Sequence, residues 1–305
     1  MPRLIGLKAG PKQRLHDALR QATGSHIMIR DILVHLDGSA ADETRIIHAE
    51  AIAGHFDAHV TGLFTNIVPT PYIPAADGLA AASILEESRR QAEAAGESQA
   101  ARLAQRLDTL AMPSELRRFD LFADAVWSAV ARQARACDLF VALRPYGADG
   151  SSHWPEVVEA ALFGSGRGVY LAPPDAPARA FETVLVAWSD TREAAHAVAE
   201  AMPLLRLAKQ VVVATVDADG PPEEDREEPG ADLARHLDRH GVRVELRHVP
   251  EWREVSRALL NETEKSGADL AVLGAYGHSR LREWVLGGAT RDFLTQCPVP
   301  MLMAH

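Results

Sequence analysis

Residues 268–290 read Ala268-Asp-Leu-Ala-Val-Leu273-Gly274-Ala-Tyr-Gly277-His278-Ser-Arg280-Leu-Arg282-Glu-Trp-Val-Leu-Gly287-Gly288-Ala289-Thr290. The run Ala268 to Leu273 has the apolar content of a buried strand, and Thr290-Arg-Asp-Phe-Leu294 starts like a helix. Strand, glycine loop and helix N-terminus form an arrangement that holds phosphate. Backbone N–H groups approach an anion closely where no Cβ intervenes, and the helix dipole favours negative charge there. His278, Arg280 and Arg282 add positive charge. The spacing is more informative than a glycine pair, because Gly274 and Gly277 are followed by nine residues and then Gly287.

The same strand and helix punctuation extends back along the chain. From Met28 the pattern predicts a strand over Asp31–Leu36, a turn and helix cap at Asp37-Gly-Ser39, and a helix from Ala40 to His55. A second strand, Ala58–Thr65, leads through a proline-rich loop into a helix of roughly 25 residues ending near Leu110. Ser114–Leu121 alternates polar and apolar residues, as an edge strand does. A helix over Ala123–Ala136, an apolar strand at Asp138–Leu143, a helix at Pro155–Phe163 and a strand at Gly168–Ala172 complete five strands. After the linker Pro173-Pro-Asp-Ala-Pro-Ala178 the order repeats, from Thr183–Trp188 to a closing strand at Val299–Met303. A period of about 150 residues is too long for a solenoid and indicates two copies of one domain. The expected boundaries are 28–174 and 182–305. Apolar strands alternating with helices imply parallel sheets covered on both faces, so the fold class is α/β, doubly wound.

Composition narrows the function. A chain of 305 residues is long for one core. The net charge of −10 argues against broad nucleic-acid or acidic-membrane binding. No apolar run approaches the roughly 18–20 residues of a membrane span. Two cysteines, Cys137 and Cys297, provide no disulfide framework. A reducing cytoplasm fits these features. Residues 1–27 carry Arg3, Lys8, Lys12, Arg14 and Arg20 without the apolar core of a signal peptide, and read as an appended, mobile leader.

The repeated five-strand pattern, the Asp37-Gly-Ser turn, the G-x2-G-x9-G loop and the ending Cys297-Pro-Val-Pro-Met-Leu-Met303 resemble the universal stress protein family, over residues 28–305 and as a tandem pair. The resemblance implies two flavodoxin-like domains with strand order 3-2-1-4-5. It also implies a crevice beside the first and fourth strands, where doubly wound sheets bind ligands. Adenine nucleotide is the implied ligand, ATP accompanied by Mg2+. The cofactor-binding set in the second half is then Ala187, Trp188, Ser189, Asp190, Val216, Gly274, Gly277, His278, Arg280, Gly287, Gly288, Ala289 and Thr290. Two departures stand out. Gly288 replaces the Ser or Thr that usually follows the third glycine, which removes one hydroxyl donor and leaves the backbone donors in place. Ser189 stands where the family usually has Asp, with Asp190 one residue later, so either the turn shifts or base recognition weakens.

The first half shows the opposite pattern. It keeps Asp37-Gly38-Ser39, but Arg144-Pro-Tyr-Gly147 lacks the glycine spacing. Gly164-Ser165-Gly166 follows a helix, at its negative end, and does not read as a phosphate loop. There is no P-loop, and the four lysines, Lys8, Lys12, Lys209 and Lys265, follow no glycine-rich loop. No G-x-S-x-G elbow occurs. His236 and His240 share a helix face without a third ligand placed by sequence. Three functions remain open: a nucleotide-gated regulator of a protein partner, a slow ATPase, and a scaffold with a vestigial site. The resemblance also implies that the halves pack as a pseudo-dimer through their last strands, and it leaves room for a homodimer.

Overall fold

The inner strands are apolar on nearly every residue, and the helices that cover them bury one face. The computed structural model describes residues 28–70, 78–147, 152–174, 176–216, 230–249, 254–275 and 293–305. The first half runs β1 (Asp31–Leu36), α1 (Asp42–Phe56), β2 (His59–Ile67), α2 (Gly78–Leu107), β3 (Ser114–Leu121), a 3-10 turn at Ala123–Ala125 leading into α3 (Val126–Ala134), β4 (Leu139–Leu143), α4 (Pro155–Gly164) and β5 (Gly168–Ala172). The second half runs β6 (Thr183–Trp188), α5 (Arg192–Leu205), β7 (Gln210–Val216), α6 (Ala231–Arg239), β8 (Val244–Val249), α7 (Val255–Ser266), β9 (Leu270–Gly274) and β10 (Met301–Ala304).

Among the described residues ten strands lie in one sheet, in the order β3-β2-β1-β4-β5-β10-β9-β6-β7-β8. Each half therefore has the order 3-2-1-4-5 and is parallel throughout. The halves meet where β5 and β10 pair antiparallel, Met301 opposite Leu171 and Met303 opposite Val169. Joining the sheets there leaves β4, β5, β9 and β10 interior, and their residues are almost all buried. Among the described strands β3 and β8 are the outer edges, and both carry charged residues that discourage further pairing.

Through the first strand and helix of each half, position n corresponds to n + 152, as Asp31 corresponds to Thr183 at the starts of β1 and β6. The correspondence extends to single hydrogen bonds. The Asp138 carboxylate accepts from the Arg30 and Asp31 N–H groups at 2.7 and 3.1 Å, and Asp269 accepts from Glu182 and Thr183 at 3.1 and 3.0 Å. In both halves an aspartate just before the fourth strand ties that strand to the first.

Several boundaries differ from expectation for identifiable reasons. Ser39 does not cap α1. The N-cap is Ala41, without a side-chain bond, and Asp42 instead accepts from the Asp37 and Gly38 N–H groups at 3.1 and 2.7 Å. Gly38 has φ 81°, a left-handed turn that glycine adopts without strain. Helix α2 is 30 residues long, longer than the expected 25 or so. At the end of α4 the cap is Ser165, with left-handed Gly166 just beyond, and the Arg135 guanidinium donates to the Gly164 carbonyl at 2.9 Å. That is the negative end of a helix with a cation on it, in line with the sequence reading.

Two polar side chains at equivalent positions fasten the junction in different ways. His48 on α1 bonds the Tyr170 hydroxyl at 2.9 Å and the Ala176 carbonyl at 3.0 Å. Glu200, its counterpart on α5, accepts from the Gly168 N–H at 2.8 Å. On the opposite face, the buried Arg144 donates to the Cys297 carbonyl across the halves.

Candidate functional site

In a doubly wound sheet the connections leave the first and fourth strands toward opposite faces, which opens a crevice at their carboxyl ends. In the second half those ends belong to β6 and β9. Ala187 pairs with Leu273, which sets Trp188 and Gly274 side by side. Ala187 and Trp188 are half-buried and pack against the cores on opposite sides of the sheet, so Trp188 is a packing residue as well as a wall of the crevice. Ser189 and Asp190 are exposed just beyond, and Val216 is half-buried at the end of β7.

Thr191, absent from the expected site set, is the N-cap of α5. Its hydroxyl accepts from the Ala194 N–H at 3.2 Å and lies 3.2 Å from the Ser189 hydroxyl. Glu193 is buried in the same turn. Its own backbone N–H and then Arg192 hold its carboxyl below the usual range. Gly274 lies directly under this turn, where a Cβ would fall 2.5 Å from the Ala194 nitrogen and 2.6 Å from the Glu193 carbonyl carbon. Gly274 therefore makes the close approach of β9 to α5 possible. Gly277, His278, Arg280, Gly287, Gly288, Ala289 and Thr290 lie outside the described residues.

The corresponding crevice of the first half is full. Arg45, 1% exposed, donates to Asp37 Oδ2 at 3.0 Å and to Asp42. The Trp154 indole N–H donates to the same Asp37 oxygen at 2.7 Å, and the Ser39 N–H donates to Oδ1 at 2.9 Å. Gln99 of α2 presses its amide against Gly38. His35 bonds Thr65 at 2.9 Å and meets the Trp154 ring edge-on at 5.5 Å. Burial alone would raise the Asp37 carboxyl, but Arg45 and then Ser39 hold it well below the ordinary range. Burial raises Asp42 to about 6, helped by the Asp37 charge and opposed by Arg45. Burial, reinforced by the Arg45 charge, lowers His35 to about 3, so its ring is neutral at physiological pH.

Applying the offset, Asp37, Asp42 and Arg45 correspond to Ser189, Ala194 and Ala197 in the second half. Two carboxylates and a guanidinium in one crevice are replaced by small neutral residues in the other. The sequence carried a signal for the charged cluster. Arg45 shares the helical stripe of Ala49, Ile52 and Phe56, all buried, a position where an arginine needs a buried counter-charge. Trp154 had no such signal, because it comes from a loop 117 positions away from Asp37.

The neutral, buried His35 makes the protein acid-sensitive. The unfolded chain binds a proton there below about 6.5 while the folded chain resists until about 3, so this contribution is complete above 6.5 and is lost as pH falls. The expected slope is about 1.4 kcal/mol per pH unit. Asp42 acts in the opposite sense between its ordinary value of 3.8 and about 6, since the folded chain takes up a proton first. His35→Gln isolates the histidine. Its denaturation midpoint should fall less than that of the wild type between pH 6.5 and 4, and parallel curves would contradict the assignment.

Residues 180–305 match the family described as the universal stress protein family. A universal stress protein from Archaeoglobus fulgidus DSM 4304 superposes with a TM-score of 0.67 at 16% identity, covering 91% of this chain and 96% of that one. A putative universal stress protein from Pseudomonas aeruginosa UCBPP-PA14 has a TM-score of 0.52 at 17% identity, covering 90% and 93%. Those two likenesses span both halves and show a shared fold. Among curated proteins none matches this chain. Among the described residues no helix is long and apolar enough to cross a membrane, and no three metal-ligating side chains come together.

Proposed function

We propose that this chain, which belongs to the universal stress protein family through residues 180–305, is an ATP-responsive regulator with its ligand site in the second half. The observation that carries this reading is the difference between the two crevices. At the first crevice stand Asp37, Asp42 and Arg45, with Trp154 bonded to Asp37, and the positions equivalent to those three charged residues in the second half are Ser189, Ala194 and Ala197.

The residues present fit a nucleotide in a particular way. The N-terminus of α5 is already served by Thr191 and Glu193, so it is no strong phosphate site. The strand ends beside it suit the base and sugar, with Trp188 and Val216 as apolar walls and the Ser189 and Thr191 hydroxyls as polar contacts. The phosphates then fall to the backbone N–H groups of the glycine loop, Gly277, Gly287 and Gly288, and to the Thr290 hydroxyl, with His278 and Arg280 adding positive charge. Bound Mg2+ would screen the phosphate charge, which matters on a chain of net charge −10. Occupancy would then change how the chain meets a protein partner.

Titration of the intact chain with Mg·ATP in a calorimeter tests this. Saturable binding is expected, and none at millimolar ATP would overturn the reading. Gly277→Val places a branched side chain where the backbone must approach phosphate, so it should weaken ATP at least about tenfold, roughly one to two lost hydrogen bonds. Unchanged affinity in that variant would show that the loop is not the phosphate site.

A further inference from the structure

Helix α7 begins without a side-chain cap. Its N-cap residue is Glu254, whose carboxylate accepts no bond from the helix start and turns instead to Arg257, at 2.7 Å. The first N–H groups of a helix find no acceptor within it, so those of Val255, Ser256 and Arg257 face out from the positive end of the helix dipole. On α5 Thr191 serves one such group, and α7 has no equivalent bond. A second observation lies in the same turn. Ser256 is 4% exposed, and its hydroxyl has no hydrogen-bond partner among the described residues. A buried hydroxyl left unsatisfied costs free energy that a ligand at that point would return. Ser256 opens the stripe Ser256, Leu259, Leu260 and Thr263 with which α7 meets the sheet, and Leu259 packs on Leu185, Val212 and Ala214. The helix runs back from the carboxyl ends of the strands. Ser256 is therefore one turn nearer those ends than Leu259, and its side chain leans toward the helix start. The orphan hydroxyl and the uncapped N–H groups share one end of α7.

We propose that this end of α7 is a binding site for a small oxyanion of the size of phosphate, separate from the glycine loop. The N–H groups of Val255, Ser256 and Arg257 donate to its oxygens, as helix starts do to anions. The Ser256 hydroxyl donates a further bond. Arg257 supplies the charge. Its side chain is 71% exposed and that of Glu254 47%, so it turns onto the anion without abandoning a buried partner. The glycine loop leaves β9, whereas α7 enters from β8, beyond β6 and β7. Neighbouring strands are about 4.8 Å apart, which separates the two anion sites by roughly 10 Å across the sheet.

Inorganic phosphate is the probe, read as the rise in melting temperature over chloride of equal ionic strength. The wild type should show a saturable rise. Val255→Pro removes one donor at an exposed first helical position, where proline is favoured and the extended Glu254 before it is compatible. This variant should keep its stability in chloride and lose about tenfold in phosphate affinity. Ser256→Ala should lose about tenfold as well, and in chloride it should melt no lower than the wild type, because the hydroxyl it removes has no bond to lose. Two variants at separate donors keep the test decisive where one fails to fold. Gly277→Val should keep its response to phosphate. No rise in the wild type, an unchanged phosphate affinity in either α7 variant, or a response lost in Gly277→Val overturns the proposal. ATP titration of Val255→Pro distinguishes a free oxyanion from a phosphate of the nucleotide. Unchanged ATP affinity is expected, and a parallel loss of ATP and phosphate overturns the separate site. The phosphate result is read without nucleotide, so it stands whether or not the second half binds ATP.

Discussion

Arg45→Ala is expected to destabilise the protein by about 3–5 kcal/mol, the usual result of removing one partner from a buried ion pair. Arg45 is 1% exposed and is the only cation among the described contacts of the Asp37 and Asp42 carboxylates, which are themselves largely buried. Without it, two like charges remain in one crevice, each costly to bury and each disfavouring the other. The second half indicates how to remove the cluster without leaving a charge behind. The triple variant Asp37→Ser, Asp42→Ala, Arg45→Ala copies the equivalent residues Ser189, Ala194 and Ala197. It should be more stable than Arg45→Ala alone, although the Trp154 N–H and the Asp37-Gly38 turn lose their acceptors. Urea denaturation at pH 7.5 reads both. A triple variant less stable than the single one would show that hydrogen bonds within the cluster outweigh the cost of its buried charge.

Gly274→Val should be nearly as damaging. Overpacked cores typically lose about 1–3 kcal/mol, and the upper end is expected here because the obstacle is backbone. The new Cβ would lie 2.5 Å from the Ala194 nitrogen and 2.9 Å from its Cα, in the first turn of α5, where no side-chain rotation relieves the clash. Gly54 provides the contrast. It lies in α1 with nothing within 4 Å of an added Cβ, so Gly54→Ala should stabilise by about 0.5–1 kcal/mol through helix propensity. A Gly274→Val chain with wild-type stability would mean that β9 and α5 are not held as closely as described.

The fold was legible because parallel strands buried on both faces are written as unbroken apolar runs. Leu139–Leu143 and Leu270–Leu273 admit no other reading between their turn signals, and the polar alternation of β3 marks it as an edge. The ends of elements were less legible. The closing strand starts at Met301 rather than Val299 because Pro298 and Pro300 have no N–H for the ladder. The Pro300 carbonyl still accepts from Ala271 at 3.0 Å, just before regular pairing begins.

The crevices were legible in part. Comparing the halves identified the strand ends, and Ser189 at the position of Asp37, from sequence alone. The plug in the first crevice was not visible, because a loop tryptophan and a carboxylate 117 positions apart share no periodicity. From sequence Gly274 carries two readings, the first glycine of a phosphate loop and a close helix–strand contact with no partner helix specified. Its contact with α5 depends on how closely two distant elements pack, which spacing does not encode.

The two crevices lead to one count. Native mass spectrometry of the intact chain in Mg·ATP measures it directly. One nucleotide per chain, lost in Gly277→Val and kept in Arg144→Met, is the predicted result. No nucleotide, or two per chain, would contradict the proposal of a single nucleotide site in the second half.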